Sequence, residues 1–324
     1  MEKKHKDFID RLLRMKEIGA LAGLIIVMIV FTLLSENFLT WRNFVGIFTS
    51  TSELGIIAIG ICFLMIAGEF DLSVGSVFAV APMIGALLAN SGVPMLIAFL
   101  GGLVVAALIG LLNGIIVIKA KIPSFIATLG SMMLFRGLLL AVSGGFPINF
   151  EGENPWLLNL LGGKIMFGMR ASGIWFILGT VIFSIILTQT RYGNHVSAVG
   201  GNAGTSKAVG INVNKVKVIN FMLCAVMAGL AGFTMFGRFH SIDPTAGMEL
   251  ELEAIASSVI GGALLTGGYG SIVGAFIGAF LIGVMRSGLI LAGAPSYWYK
   301  GFIGVILVIS VIINTKIRKA VAGE

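Results

Sequence analysis

Charged residues are scarce in this sequence, at 11% of 324 residues, whereas soluble domains carry about 25%. A mean hydropathy of +1.02 and repeated long apolar runs are found instead, a combination typical of a polytopic helical membrane protein. The 45 glycines show no fixed period, which excludes a collagen-like chain, and they suit close helix packing in lipid. In such a protein the net charge of +7 reflects topology and an anionic inner leaflet rather than nucleic-acid binding.

Cysteine and histidine are rare as well. Cys62 and Cys224 lie in separate apolar runs, so we expect two buried, reduced thiols and no disulfide framework. The histidines are isolated and match no HExxH or Cys/His cluster, so we expect neither a metal site nor a cofactor. The chain also has no GxSxG elbow and no GxxxxGK(S/T) loop, which argues against a catalytic serine and against ATP hydrolysis by a P-loop on this chain.

Apolar runs predict an all-α fold with about ten transmembrane helices, some of them interrupted. The runs cover 19–34, 44–67, 73–90, 94–118, 122–142, 172–188, 218–237, 254–266, 271–292 and 300–313. The run at 254–266 is short for a hydrocarbon core of about 30 Å, so we expect it to be half of a broken helix. The first run follows a basic segment and lacks a cleavage site, which predicts a retained first span after an amphipathic cytoplasmic segment at 1–18.

The distribution of lysine and arginine predicts that both termini are cytoplasmic. With the N-terminus inside, the inside segments hold 15 of the 22 basic residues, as the positive-inside rule requires. These segments are 1–18, 68–72, 119–121, 189–217, 267–270 and 314–324. The predicted organisation is therefore a permease domain at 19–313, with a long cytoplasmic loop at 189–217, followed by a cytoplasmic tail at 314–324. The acids placed in outside loops are Glu36, Glu151, Glu153, Asp243, Glu249, Glu251 and Glu253.

Two acids interrupt the apolar sequence in the stretch IAGEFDLSVGS, residues 66–76. A carboxylate at the bilayer centre costs roughly 2.5–3.5 kcal/mol, so Glu69 and Asp71 need a compensating role. Asp71 or Ser73 can cap the following helix, although capping explains one acid better than two. A role in the substrate pathway or its gate is the compatible alternative. The stretch at 267–274 shares Gly, aromatic, Val and Gly with 68–75, and such matched interruptions are typical of transport sites.

Polar residues also lie inside the predicted spans. Asn113 stands between Gly110 and Gly114, which favours a hydrogen bond at a tight helix crossing and leaves ligand contact as the alternative. Arg136 and Arg286 each need a partner or water inside the membrane. The sequence pattern does not assign an acid to either arginine.

The longest polar segment predicted on the inside runs from Arg191 to Lys217. Its glycines would break a long helix, while Thr205 or Ser206 could cap a short helix over Lys207–Val209 that Gly210 closes. A short helix presented by loops has the shape of a docking element. On composition alone, an ordinary solvated loop is the alternative.

Four stretches together resemble the permease subunits of bacterial binding-protein-dependent ABC importers for ribose, xylose and similar monosaccharides. They are GEFDLSVGS, KIPSFIATLGSMMLFRGL, AVGGNAGTSKAVGINVNKVK and DPTAGMELELEAIASSVIGGALLTGGYGSIVGAFIGA. The resemblance covers roughly 45–313. It implies a non-catalytic transport subunit in the bacterial inner membrane that pairs with a second permease copy, an ABC ATPase chain and a solute-binding protein.

Residue patterns and the resemblance together define two sets of candidate residues. The candidates for the substrate pathway or its gate are Glu69, Asp71, Ser73, Asn113, Ser124, Phe125 and Thr128. The resemblance matches the loop at 200–211 to the element that docks on the ATPase. The candidates for this coupling are Gly200, Gly201, Asn202, Ser206, Ala208, Gly210 and Ile211.

The sequence departs from the family pattern where Glu69 and Phe70 replace the more usual Gly-Ile. The substrate is therefore open: a pentose or hexose is expected, and related permeases also carry nucleosides. A second hypothesis is an ion-coupled secondary transporter that uses Asp71 and Asn113 as its ion site. ATP-dependent uptake that is insensitive to uncouplers would exclude it.

Overall fold

The computed structural model describes residues 17–152, 155–295, 297–306, 308–309 and 312. The predicted segment at 1–18, apart from residues 17 and 18, and the predicted tail at 314–324 lie outside this part of the chain. The helices are α1 Ile18–Leu34, α2 Trp41–Ile66, α3 Val74–Asn90, α4 Met95–Ala120, α5 Ser124–Ser143, α6 Trp156–Gly162, α7 Ser172–Gln189, α8 Arg191–Gly201, α9 Ala203–Ala208, α10 Val213–Phe239, α11 Leu250–Ile260 and α12 Ile272–Leu291. Residues 298–306 are helical too.

Strand structure is minimal in the described ranges. The strands β1 (Ile148–Asn149) and β2 (Ser241–Ile242) pair antiparallel, with Ile148 opposite Ile242. A single 3-10 turn occupies Met166–Gly168. The all-α prediction is therefore confirmed.

Within the described residues, six helices are long and apolar enough to cross a membrane, namely α2, α4, α5, α7, α10 and α12. Helices α1 and α3 are apolar but have 17 residues each, which is about 26 Å at 1.5 Å per residue. A polytopic membrane protein is confirmed, whereas the number of ten spans stays a prediction. The predicted boundary at 254–266 was wrong, because α11 ends at Ile260 and Gly262 then turns the chain with a φ of +92°. Hydropathy does not register such a backbone turn.

Burial distinguishes the central helix from the peripheral ones. In the most apolar 18-residue stretch of α2, 94% of the stretch is buried, compared with 17% of the corresponding stretch in α5. The peripheral helices expose large apolar side chains such as Met133 and Leu134, which is the surface expected to face lipid. Cys62 and Cys224 are buried and unpaired, as predicted.

Glycines form the closest helix crossings. A Cβ at Gly110 would overlap the carbonyl oxygen of Phe221, and one at Gly114 would lie 3.1 Å from the Cα of Val218. The glycine pair around Asn113 is therefore the place where α4 crosses α10. Small residues allow backbones to approach in this way, which is how helices associate without a hydrophobic driving force in lipid.

Candidate functional site at two interrupted helices

The first interruption lies between α2 and α3. The chain leaves α2 at Ile66, turns at Gly68 with a φ of +83°, and re-enters a helix at Val74. Asp71 is fully buried there, and its Oδ1 accepts hydrogen bonds from the backbone N–H of Ser73 at 2.8 Å and from the Ser73 hydroxyl at 2.6 Å. The carboxylate thus satisfies two donors of Ser73, the residue before α3, but no described side chain accepts from the first N–H groups of the helix itself, so the predicted cap by Asp71 or Ser73 was wrong.

Helix α4 contributes a third side chain to this cluster. Asn113 is fully buried, and its Nδ2 donates to the Ser73 hydroxyl at 2.9 Å and lies 3.5 Å from Oδ2 of Asp71. Asn113 therefore bonds to the interruption rather than to α10. Asn113 Oδ1 has no hydrogen-bond partner among the described residues.

Helix α5 binds the backbone of the same interruption. The Ser124 hydroxyl accepts from the N–H of Phe70 at 3.1 Å, and the Thr128 hydroxyl accepts from the N–H of Leu72 at 3.0 Å. The structure thus brings two of the three α5 candidates to the site. Phe125 is 52% exposed and contributes no polar group.

Glu69 has a partner that the sequence did not reveal. Its Oε1 lies 2.5 Å from Nζ of Lys217 in the first turns of α10. This ion pair attaches the interruption to the C-terminal end of the long polar segment. The two residues are 148 positions apart, so sequence spacing gave no signal of the contact.

The two intramembrane arginines are held in different ways. Arg136 donates to the carbonyl oxygens of Pro244, Ala246 and Gly75 at 2.5, 2.9 and 2.8 Å, so its direct hydrogen-bond partners are backbone groups rather than an acid. It joins the first turn of α3 to the loop before α11. The guanidinium of Arg286 forms an ion pair with Glu253, with Nη2 and Oε1 2.6 Å apart.

The second interruption lies between α11 and α12. Gly267 and Gly268 have φ values of +82° and +78°, and Ser271 caps α12 by accepting from the N–H of Gly274 at 3.2 Å. The N–H of Gly268 donates to the carbonyl of Ile66, at the end of α2, at 2.8 Å. The two stretches with matching sequence are therefore neighbours in space.

The long polar segment folds as helix, turn, helix. Helix α8 ends at Gly201, and the Asn202 side chain accepts from the N–H of Thr205 at 2.9 Å, which caps α9. A short helix exists, but it covers Ala203–Ala208 rather than the predicted 207–209. The predicted cap at Thr205 or Ser206 was wrong because Asn202, an equally good capping residue, lies further upstream. Gly210, with a φ of +88°, follows the helix, in agreement with the predicted closure.

Burial divides the candidate coupling residues into outward and inward groups. Gly201, Asn202, Ala208 and Gly210 are exposed. Ser206 is buried, while Gly200 and Ile211 are partly buried. Val209, which sequence reasoning did not single out, is 71% exposed and places an apolar side chain at the end of α9.

Sequence reasoning missed three buried acids, of which Glu53 and Glu253 form ion pairs with arginines. Glu53, within α2, is buried and lies 3.3 Å from Arg238; the signal was a lone acid inside an apolar run. Glu251 and Glu253, which were assigned to an outside loop, are instead buried in the first turn of α11. No group of three or more His, Cys, Asp or Glu side chains that could hold a metal occurs among the residues with described positions.

Comparison with known proteins defines the class to which this chain belongs. Residues 43–311 match the family model described as branched-chain amino acid transport system / permease component. This match covers most of the chain, so the protein belongs to this family of transport-system permeases, as the resemblance predicted. It is a multi-pass protein of the bacterial inner membrane.

Individual relatives within this class are similar to the chain over most of their length. The chain is 37% identical over 302 residues to the ribose import permease protein RbsC of Bacillus subtilis, covering 93% of this chain and 94% of that one. It is 36% identical to the protein of the same name from Escherichia coli K12, over the same shares. It is 30% identical to the autoinducer 2 import system permease protein LsrC of Escherichia coli O9:H4, over 94% of this chain and 88% of that one. No solved structure matches.

Proposed function

We propose that this chain is the membrane-spanning subunit of an ATP-driven importer that translocates a pentose or hexose. In this proposal a solute-binding protein delivers the sugar, a second permease copy completes the pathway, and separate ATPase chains supply the energy. The observation that carries the proposal is α9, an exposed short helix in a chain without a P-loop. A permease that cannot hydrolyse ATP must receive its energy through such a protein contact. The names of the relatives support the choice of a sugar.

The buried charges support a neutral substrate. Glu53, Glu69 and Glu253 are each paired with a lysine or arginine, and Asp71 is bonded to neighbouring polar side chains. Burying a carboxylate is costly unless it is paired, and these acids already have partners. A cationic solute at any of these four acids would have to displace a partner, whereas a sugar would not. Buried Glu251, whose Oε2 has no hydrogen-bond partner among the described residues, is the exception.

We propose that the polar cluster at the first interruption shapes the substrate pathway or its gate. Its members are Glu69, Asp71, Ser73, Asn113, Ser124 and Thr128. Phe125 remains a candidate only as an apolar side chain that lines the pathway. The supporting feature is the density of hydrogen bonds at a helix break. Interrupted helices form the sites of many transporters, and the orientation proposed below places this one toward the cytoplasmic end of its helices.

We propose an orientation in which α9 and Lys215 are cytoplasmic and Glu151 and Asp243 face outside. The support is the asymmetry of basic residues between alternate loops. Single cysteines at positions 151 and 215, placed in a cysteine-free background, should differ when a membrane-impermeant reagent is added from outside. Labelling at 151 alone is expected, and labelling at 215 but not at 151 would reverse the orientation.

The docking role of α9 is tested by Ala208→Trp. Ala208 is exposed at the end of α9, so a bulky side chain there should spare the fold but obstruct a close interface. Gly210→Trp is less suitable, since its φ of +88° would strain any side chain. The matched control is Ala141→Trp, at an exposed position of α5.

We expect the Ala208→Trp permease to insert and to pair with a second copy, yet to lose co-purification with the ATPase. ATP hydrolysis stimulated by loaded binding protein should fall with it, while Ala141→Trp should behave like wild type. If Ala208→Trp retains both association and stimulated hydrolysis, the docking site lies elsewhere. Sugar uptake into reconstituted vesicles that needs ATP and withstands uncouplers separates this function from an ion-coupled transporter.

A further inference from the structure

Gly200, at the end of α8, touches both helix interruptions at once. A Cβ at Gly200 would overlap the carbonyl group of Ile66 on one side and the backbone N–H of Gly268 on the other. Those two groups are themselves joined by the hydrogen bond from Gly268 to Ile66 at 2.8 Å. Three segments that are far apart in sequence therefore meet through backbone atoms alone. We name this contact of Ile66, Gly200 and Gly268 the glycine junction.

The surrounding residues leave no room for side chains at the junction. Gly68 and Gly267 have φ values of +83° and +82°, a region that L-residues other than glycine rarely adopt. A Cβ at Gly267 would lie 2.8 Å from the Cα of Gly68 and 2.9 Å from the carbonyl oxygen of Gly200. Close approach and backbone conformation thus independently require glycine where the two interruptions meet.

Helix α8 is held firmly enough to transmit a displacement to this junction. Val196 and Val199 are buried, and the Tyr192 hydroxyl donates to Oδ1 of Asn220 on α10 at 2.7 Å. Two residues separate Gly200 from α9, and the N–H of Asn202 still bonds to the Ala198 carbonyl at 3.0 Å. Backbone in contact with backbone has no side-chain rotamers that could absorb a movement, and packed interiors transmit strain.

We propose that Gly200 is a positioning residue through which movement of α9 reaches both interrupted helices together. This inference rests on the proposed function, because it takes α9 as the element that docks on the ATPase. Binding of the ATPase and transmission of its movement are then separate properties of the segment formed by α8 and α9. The exposed residues of α9 hold the ATPase, and the glycine junction delivers its movement to the ends of α2 and the start of α12.

The direct test is Gly200→Ala, with Gly137→Ala in α5 as the matched control. A Cβ at Gly137 meets nothing within 4 Å, so the same chemical change is harmless there. Both variants are reconstituted with the binding protein and ATPase, and three quantities are measured: ATPase co-purification, stimulated ATP hydrolysis, and sugar transported per ATP. For Gly200→Ala we expect normal co-purification but about two- to thirty-fold less sugar per ATP, the range that coupling residues typically affect. Gly137→Ala should match wild type.

A second variant covers the case in which Gly200→Ala fails to fold. Inserting two glycines between Gly201 and Asn202 leaves the junction and the Asn202 cap intact but makes their connection flexible. We expect this variant to bind the ATPase and hydrolyse ATP while sugar transported per ATP falls as with Gly200→Ala. Wild-type transport per ATP in the insertion variant, or in a folded Gly200→Ala, would overturn the inference. Absence of ATPase association in the wild-type permease would instead overturn the proposed function.

Discussion

The two helix interruptions differ in the kind of residue that shapes them. The first, at 67–73, contains Asp71 and is bonded by polar side chains from three helices: Asn113 of α4, Thr128 of α5 and Lys217 of α10. The second, at 261–271, is shaped largely by glycines, with left-handed turns at Gly262 and Gly267 and a close approach at Gly261. One interruption thus depends on side chains that are present, and the other on side chains that are absent.

This difference predicts opposite sensitivities. Hydrogen-bonded networks specify one geometry and are costly when half satisfied, so the first interruption should suffer from the loss of a side chain. Close backbone contacts tolerate no added volume, so the second should suffer from the gain of one. Predictions that remove or add groups at the two sites therefore test the comparison directly.

The largest effect is expected from Asp71→Ala. This change leaves the backbone N–H and hydroxyl of Ser73 without their acceptor, and a lost hydrogen bond to a charged group costs about 1.5–3 kcal/mol. This stability cost lowers only the amount of folded protein, so a role in the pathway predicts an additional loss of transport per folded permease, about tenfold for each 1.4 kcal/mol. Uptake normalised to folded permease in the membrane measures this.

Asp71→Asn is the matched control for that prediction. Its side-chain oxygen can still accept from Ser73, so the local hydrogen bonds should survive while the charge is lost. Transport near wild type in Asp71→Asn would assign the role to these hydrogen bonds rather than to the charge. Normal transport in Asp71→Ala would contradict any role for Asp71 in the pathway.

An intermediate effect is expected from Gly261→Ala at the second interruption. A Cβ at Gly261 would overlap the backbone of Gly274, forcing α11 away from α12. Overpacking of this kind costs about 1–3 kcal/mol, which should appear as a lower melting temperature of the purified permease. Gly137→Ala serves again as the control, and equal melting temperatures for the two variants would show that the α11–α12 contact is not tight.

The smallest effect is expected from Glu69→Ile. The change removes the ion pair with Lys217, but 22% of the Lys217 side chain is exposed, so its ammonium group can reach solvent. Partly exposed pairs contribute about 1 kcal/mol or less. We expect transport closer to wild type than in Asp71→Ala, and a loss as large as in Asp71→Ala would assign Glu69 a role in the pathway.

Much of this protein was predictable from local patterns. Hydropathy indicated the membrane class and most helices, since a lipid environment imposes long apolar segments. Glycine and acid at 68–71 indicated a helix break, and potential capping residues followed by Gly210 indicated a short helix near Ala208. Each of these features depends on residues close together in sequence, so the sequence alone determines it.

Tertiary structure decided which distant groups meet. The partner of Glu69 is 148 residues away, Arg136 is bound by backbone carbonyls that no residue type signals, and Gly200 lies against Ile66 and Gly268. The packing of whole helices sets these contacts, and the same local sequence would be compatible with other arrangements. The sequence by itself therefore determined the elements and their interruptions, whereas the contact of Gly200 with both interruptions arises only when the packed helices bring those backbones together.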